Sequence, residues 1–90
     1  MNTYNTYEDN RFKTISEFKE CIIRGGEVEF TWNGINYSVT SYGYKISISQ
    51  FYSQDTERLC DSPDEALEYV VGEDRLRDVI TQVTVIERTI

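Results

Sequence analysis

The chain has 90 residues and a net charge of −7, with 16 acidic side chains, nine basic ones and no histidine. Its length fits a single domain, and a hydrophobic content of 39% is too high for a disordered chain. The absence of histidine excludes Ser-His-Asp and Cys-His catalytic sites and every zinc site that contains histidine. Direct binding to nucleic acid is disfavoured, because it requires clustered lysine and arginine.

Apolar runs, the N-terminal residues and the cysteines indicate the cellular compartment. No run approaches the roughly 18 apolar residues that a membrane span requires, and residues 1–10 lack the basic and apolar regions of a signal peptide. We therefore expect a cytoplasmic protein. Cys21 and Cys60 are far apart and form neither a disulfide framework nor a CxxC motif. We expect no cofactor and no metal site.

The first predicted element is a helix. Residues 1–13 show no sustained periodicity and are interpreted as a tail or entry segment, and residues 14–90 as a single domain. Thr14-Ile15-Ser16-Glu17 has the spacing of a capping box. Apolar residues then recur at helical intervals until Gly25-Gly26, which is typical of a helix end; they are Ile15, Phe18, Cys21 and Ile22.

A hairpin follows, because the period of the pattern changes from 3.6 to 2 at Glu27. Asn33-Gly34 predicts a two-residue turn. In that register three apolar pairs share one face, namely Trp32 with Ile35, Phe30 with Tyr37, and Val28 with Val39. The opposite face is expected to be solvated and carries Glu27, Glu29, Thr31, Asn36, Ser38 and Thr40.

The remaining elements complete an α+β prediction. Tyr44, Ile46 and Ile48 alternate in a third strand, which is followed by the polar stretch 53–61. Ser62-Pro63-Asp64-Glu65 predicts the start of a second helix that continues to Val71. Residues 73–80 could form one or two further helical turns, and residues 83–90 an edge strand. The expected fold is thus an N-terminal helix, a three-stranded antiparallel meander, and one or two helices on one sheet face.

The acidic side chains are concentrated in residues 55–78, which hold nine acids against three bases. We expect partner-binding residues among Asp55, Glu57, Asp61, Asp64, Glu65 and Glu68. Those at intervals of three and four could line one helix face and imitate phosphates toward a basic groove. In the alternative interpretation, Asp64 and Glu65 complement the helix N-terminus and the others maintain solubility. Tyr42 and Tyr52 are aromatic contact candidates.

In size, charge and element order, residues 14–80 resemble small acidic anti-defence inhibitors of bacteriophages, including anti-CRISPR proteins. The resemblance implies that acidic side chains occupy a nuclease site meant for DNA, and Asp55, Glu57, Asp61, Asp64, Glu65 and Glu68 are the positions that could do so. Unlike the more acidic members, this chain places Arg58, Arg75 and Arg77 within the segment. The GGEVEF strand start and the NG hairpin also resemble small uncharacterised proteins of Gram-positive bacteria.

These observations predict a non-enzymatic acidic module that binds a protein partner with a basic surface and inhibits a nucleic-acid-handling enzyme. Glu27 and Glu29 are the carboxylate pair that catalysis could use, but we expect them on an open, solvated strand face with no pocket around them. Two alternatives remain open. One is a small-molecule binder or sensor with a cleft between helices and sheet, gated by Tyr42 or Tyr52. The other is a homodimer joined through an open strand edge.

Overall fold

The fold is an antiparallel sheet with its helices on one face. A computed structural model describes residues 11–43 and 45–89. In chain order the elements are α1 (Ile15–Ile23), β1 (Glu27–Trp32), β2 (Ile35–Tyr42), β3 (Lys45–Gln50), β4 (Ser53–Cys60), α2 (Pro63–Ala66), β5 (Val70–Val71), β6 (Asp74–Arg75), α3 (Leu76–Val79) and β7 (Thr84–Thr89). The main sheet has five strands in the order β4-β3-β2-β1-β7, and β5 pairs with β6. The α+β class is confirmed, although the sheet is larger than the three strands predicted.

Helix α1 begins and ends where the sequence predicts. The Thr14 hydroxyl accepts a hydrogen bond from the Glu17 N–H at 3.1 Å, which satisfies one of the free amides of the first turn. At the other end, Gly25 adopts φ +87°. The N–H groups of Gly25 and Gly26 bind the carbonyls of Ile22 and Cys21, which is a Schellman motif.

The hairpin β1–β2 has the predicted turn and register. Asn33 and Gly34 both have positive φ, at 54° and 82°, as a type I′ turn requires. The three predicted apolar pairs are opposite one another. Phe30 and Tyr37 stack with their ring centroids 5.2 Å apart.

The predicted three-stranded meander is present as β1, β2 and β3, but the sheet continues beyond it, because the polar stretch after β3 is itself a strand. Strand β4 pairs with β3 and forms one edge of the sheet. Only Cys60 of this strand is buried, and the other positions are mostly polar. The sequence therefore lacks the apolar alternation by which a strand is recognised. The register is interrupted, since Ile48 lies opposite Arg58 but Gln50 lies opposite Ser53. Residues 54–57 therefore bulge out of the ladder with β3.

The second predicted helix is wrong in length, although its start is confirmed. Ser62 caps it by accepting from the Glu65 N–H at 3.1 Å, but α2 ends at Ala66 instead of Val71. The chain then folds back as the ribbon β5–β6. The carbonyls of Leu67 and Tyr69 accept hydrogen bonds from the N–H groups of Arg77 and Leu76. These tertiary bonds replace the helical ones that would have extended α2.

Strand β7 pairs antiparallel with β1, so the C-terminal edge strand that the sequence left open does form. Its register shifts between Glu29 and Phe30, where Ile86 is the extra residue on β7. Glu29 lies opposite Glu87, and Thr31 lies opposite Thr84.

A single hydrophobic core lies between the sheet and the helices. It contains the inward side chains of the strands together with Phe18 and Ile22 of α1, Ala66 of α2, and Leu76 of α3. Phe12, in the predicted entry segment, also belongs to this core. Tyr4 and Tyr7, in the predicted tail, and Tyr44, in the predicted third strand, lie outside the described residues. In the part of the chain that the structure describes, no helix is both long and apolar enough to cross a membrane.

Candidate interaction surfaces

The six candidate acids do not share a helix face, so the predicted helical row is wrong. Asp55 and Glu57 belong to β4, and Asp61 follows it. Asp64 and Glu65 lie in the single turn of α2, and Glu68 comes after that helix has ended. The acids are therefore spread from the β3–β4 hairpin to the β5–β6 ribbon.

Two of the acids near α2, Asp61 and Asp64, form ion pairs within the chain. Lys19 of α1 binds Asp64 at 2.9 Å. Lys45 of β3 binds Asp61, and this carboxylate raises the pKa of the lysine. Their charges are largely balanced locally.

Glu65 and Glu68 also have partners in the fold. The Glu65 carboxylate accepts the N–H of Asp61, the residue before the N-cap Ser62, at 2.9 Å and so stabilises the start of α2. Glu68 binds Arg77 at 2.9 Å and Arg75 at 3.2 Å. These two acids therefore stabilise the α2 start and the β5–β6 ribbon, and charge reversal at either would disturb local structure.

Asp55, Glu57 and Tyr52 lie together on the β3–β4 hairpin. Glu57 accepts a hydrogen bond from the Ser47 hydroxyl. Among the described residues, no lysine or arginine forms an ion pair with Asp55 or Glu57. Tyr52 is fully exposed at the hairpin turn, and its backbone has φ +61°. The hairpin therefore carries an exposed aromatic ring and two carboxylates whose charge is not neutralised by an ion pair with a described residue.

A second acidic surface is the sheet face that no described helix covers, which we call the open face. The strand register places there the polar residues that alternate with the core. Hydroxyl and amide side chains on it include Thr31, Asn36, Ser38, Thr40, Ser47, Ser49 and Thr84. Its glutamates are Glu27, Glu29, Glu57 and Glu87. Lys45 is the base that the described strands place on this face, and Asp61 binds it.

Comparison with known proteins gives no relative for either surface. The chain matches no family model, no curated protein and no solved structure.

The sequence predicted Glu27 and Glu29 on a solvated face but did not bring Glu87 to it. The β-branched residues 83–90 do indicate a strand, but they do not determine its register with β1. A bulge at Ile86 moves the pairing by one residue, which decides that Glu87 lies opposite Glu29.

A cleft of about 220 Å³ lies between the end of α1, the β2–β3 turn and the start of α2. Its apolar lining includes Ile22, Ile23, Ile46 and Pro63, and its polar lining includes Lys45 and Asp61. Small-molecule pockets usually measure about 300–1,000 Å³. Tyr52 lies at the opposite end of β3 and does not line it, and the side chain of Tyr42 lies outside the described residues. The cleft is thus small for a ligand-binding site.

In residues 11–43 and 45–89, no group of three or more acidic or cysteine side chains is placed so that it could hold a metal ion. Cys21 and Cys60 are both buried. Burial raises the pKa of each thiol above its ordinary value, so the reactive thiolate forms only at higher pH.

We therefore expect both thiols to react slowly with a disulfide reagent at pH 8 in the folded protein. In denaturant the same reagent should label both cysteines at the rate of a free thiol, at least tenfold faster. The measurement is the time course of the coloured product with and without denaturant. Rapid labelling of one cysteine in the folded protein would show that its burial is transient.

Proposed function

We propose that this chain is a non-enzymatic protein-interaction module that binds a basic protein surface in the cytoplasm. Its target would be a nucleic-acid-handling enzyme, whose basic site the module blocks. Such a site attracts acidic side chains for the same reason that it attracts phosphates.

The observation that supports this proposal most directly is the acidic open face. All described helices pack on the other side of the sheet, so the open face has no cover from them. Glu27, Glu29 and Glu87 form no ion pair with any described residue. Adjacent glutamates on one strand face are about 6.6 Å apart. This face offers a row of carboxylates to a partner rich in lysine or arginine.

The pair Glu29 and Glu87 gives a further reason. Like charges directly opposite in an antiparallel pair destabilise a sheet, by roughly 0.2–1 kcal/mol relative to a neutral pair. An arrangement that lowers stability is understandable if both carboxylates contact a basic partner. Removing the repulsion should therefore stabilise the free protein and weaken the complex.

The test is the Glu87→Lys variant, because it creates an opposite-charge pair with Glu29. We expect its free energy of unfolding to rise by about 0.5 kcal/mol, measured by urea titration. In affinity capture from lysate of the source organism, basic proteins retained by the native chain should be lost from this variant. They should also be released by high salt. Nucleic-acid-processing activity of the captured protein should fall when the native chain is added.

Glu73→Lys is the matched control, since it makes the same charge change in the β5–β6 turn, outside the open face. It should leave capture intact. The proposal fails if both variants capture alike, or if capture resists salt. A concentration-dependent dimer in analytical ultracentrifugation, with no captured partner, would instead favour the homodimer alternative.

A further inference from the structure

The turn of the β3–β4 hairpin holds an aromatic side chain in an unfavourable backbone conformation. Tyr52 has φ +61°, a region that glycine and asparagine adopt readily and that other residues rarely do. Its ring is fully exposed, so burial in the core does not compensate. The ring contacts its neighbour Phe51 edge to face, with centroids 5.9 Å apart. Folding alone does not explain a tyrosine at this position.

The hairpin beneath Tyr52 is held by side-chain hydrogen bonds. The Thr56 hydroxyl accepts the Gln50 N–H at 2.9 Å and donates to the Ser53 carbonyl at 2.6 Å. The Tyr69 hydroxyl reaches from the β5–β6 side and donates to the Thr56 carbonyl at 2.8 Å. These bonds hold the bulge at residues 54–57 next to the turn that carries Tyr52. A hairpin whose backbone is already held loses less conformational entropy when it binds a partner.

The exposed residues that follow Tyr52 along β4 are mostly polar or acidic. Gln54, Asp55 and Glu57 are exposed on the same hairpin. The nearest base in sequence is Arg58, but it lies opposite the buried Ile48 and therefore on the other face of β4 from Glu57. The face of a tyrosine ring attracts cations, and arginine most often takes this role in proteins.

We propose that Tyr52 is the anchor of the interface, and that the partner places an arginine or lysine side chain over its ring with further basic groups against Asp55 and Glu57. This inference rests on the proposed function and assigns its centre to the hairpin tip, with the open face as the adjoining charged surface. The acids near α2 are less suited to this role, because Asp61, Asp64 and Glu68 already form ion pairs within the chain and Glu65 accepts a backbone N–H.

The experiment is an NMR titration of the uniformly ¹⁵N-labelled full chain with a short peptide of alternating glycine and arginine. We expect the largest amide shifts at residues 51–57. The Tyr52→Asn variant keeps a residue that tolerates positive φ, so it should fold at least as stably as the native chain. It should bind the peptide at least fivefold more weakly, as for a residue at the centre of an interface. Tyr52→Phe, which keeps a ring, should bind within about twofold of the native chain.

The outcome of the titration shows whether the anchor alone fails or the proposed function fails with it. Shifts centred on Glu29 and Glu87, with no loss in Tyr52→Asn, overturn the anchor but leave the acidic open face as the binding surface. Equal shifts at every exposed acid, including Glu73, overturn the anchor because they report charge alone. No measurable shift at low salt overturns both proposals.

Discussion

Phe12→Ala is expected to lower the free energy of unfolding by about 3–5 kcal/mol, the usual range for removing a buried phenylalanine. The side chain is 1% exposed and packs edge to face on Phe18, with ring centroids 5.5 Å apart. The Arg88 guanidinium lies 4.4 Å from its ring centroid. That arginine also binds Glu17 at 3.2 Å. Phe12 therefore links the segment before α1 to the edge strand β7.

The loss should be large relative to total stability, since a chain of this length has about 5–13 kcal/mol in all. Urea unfolding followed by tryptophan fluorescence measures it. Phe12→Leu keeps an apolar side chain without the cation–π contact and should lose less, about 1–2 kcal/mol. Arg11→Ala, at an exposed position, is the control and should change stability by less than 0.5 kcal/mol. A loss below 1 kcal/mol for Phe12→Ala would mean that this ring does not belong to the core.

The parts of the fold that the sequence predicts well are those with local signals. The capping residue Thr14 and the Gly25-Gly26 pair fix both ends of α1, because each bond involves residues within a few positions. The Asn33-Gly34 turn fixes the β1–β2 register for the same reason. No information about distant residues is needed for these elements.

The predictions that are wrong concern elements whose structure depends on residues far away in the sequence. Strand β4 lies at an edge with nearly every side chain exposed, so it lacks the apolar alternation that identifies a half-buried strand. Helix α2 has the predicted N-cap, but Arg75 and Arg77 bind Glu68 and stabilise the chain reversal that follows Ala66. Tertiary contacts override the helical tendency of residues 67–71.

The same limit applies to the candidate surfaces. Charge alone identified residues 55–78, but the pairing of Asp64 with Lys19 joins residues 45 positions apart in sequence and follows only from the fold. The sequence marks Tyr52 only as an aromatic beside polar residues, whereas its left-handed backbone, next to the bulge in β4, is evident only from the fold. The sequence therefore supplies the chemistry of the surface, and the fold determines which acids carry unbalanced charge.

Gly26→Ala is expected to lower the free energy of unfolding by about 3 kcal/mol, at the upper end of the range for overpacking. A Cβ atom there would lie 2.5 Å from the Thr89 carbonyl oxygen and 2.8 Å from the Cys21 carbonyl oxygen and Sγ. Two of these atoms are backbone, one in β7 and one in α1, so relief of the strain requires β7 and the end of α1 both to move relative to residue 26. The hydrogen bond from the Glu27 N–H to the Thr89 hydroxyl, at 3.2 Å, should be lost in that movement.

Gly25→Ala distinguishes crowding from backbone strain. Its Cβ would meet no atom within 4 Å, but its φ of +87° is unfavourable for alanine, so we expect a loss of about 1–2 kcal/mol. Amide hydrogen exchange gives the second readout. In Gly26→Ala, protection should fall first at the pairing of Glu27 with Thr89 and persist at β2–β3, whereas Gly25→Ala should affect the last turn of α1. If both variants lose equal stability with the same exchange pattern, β7 does not pack against Gly26 as closely as the structure places it.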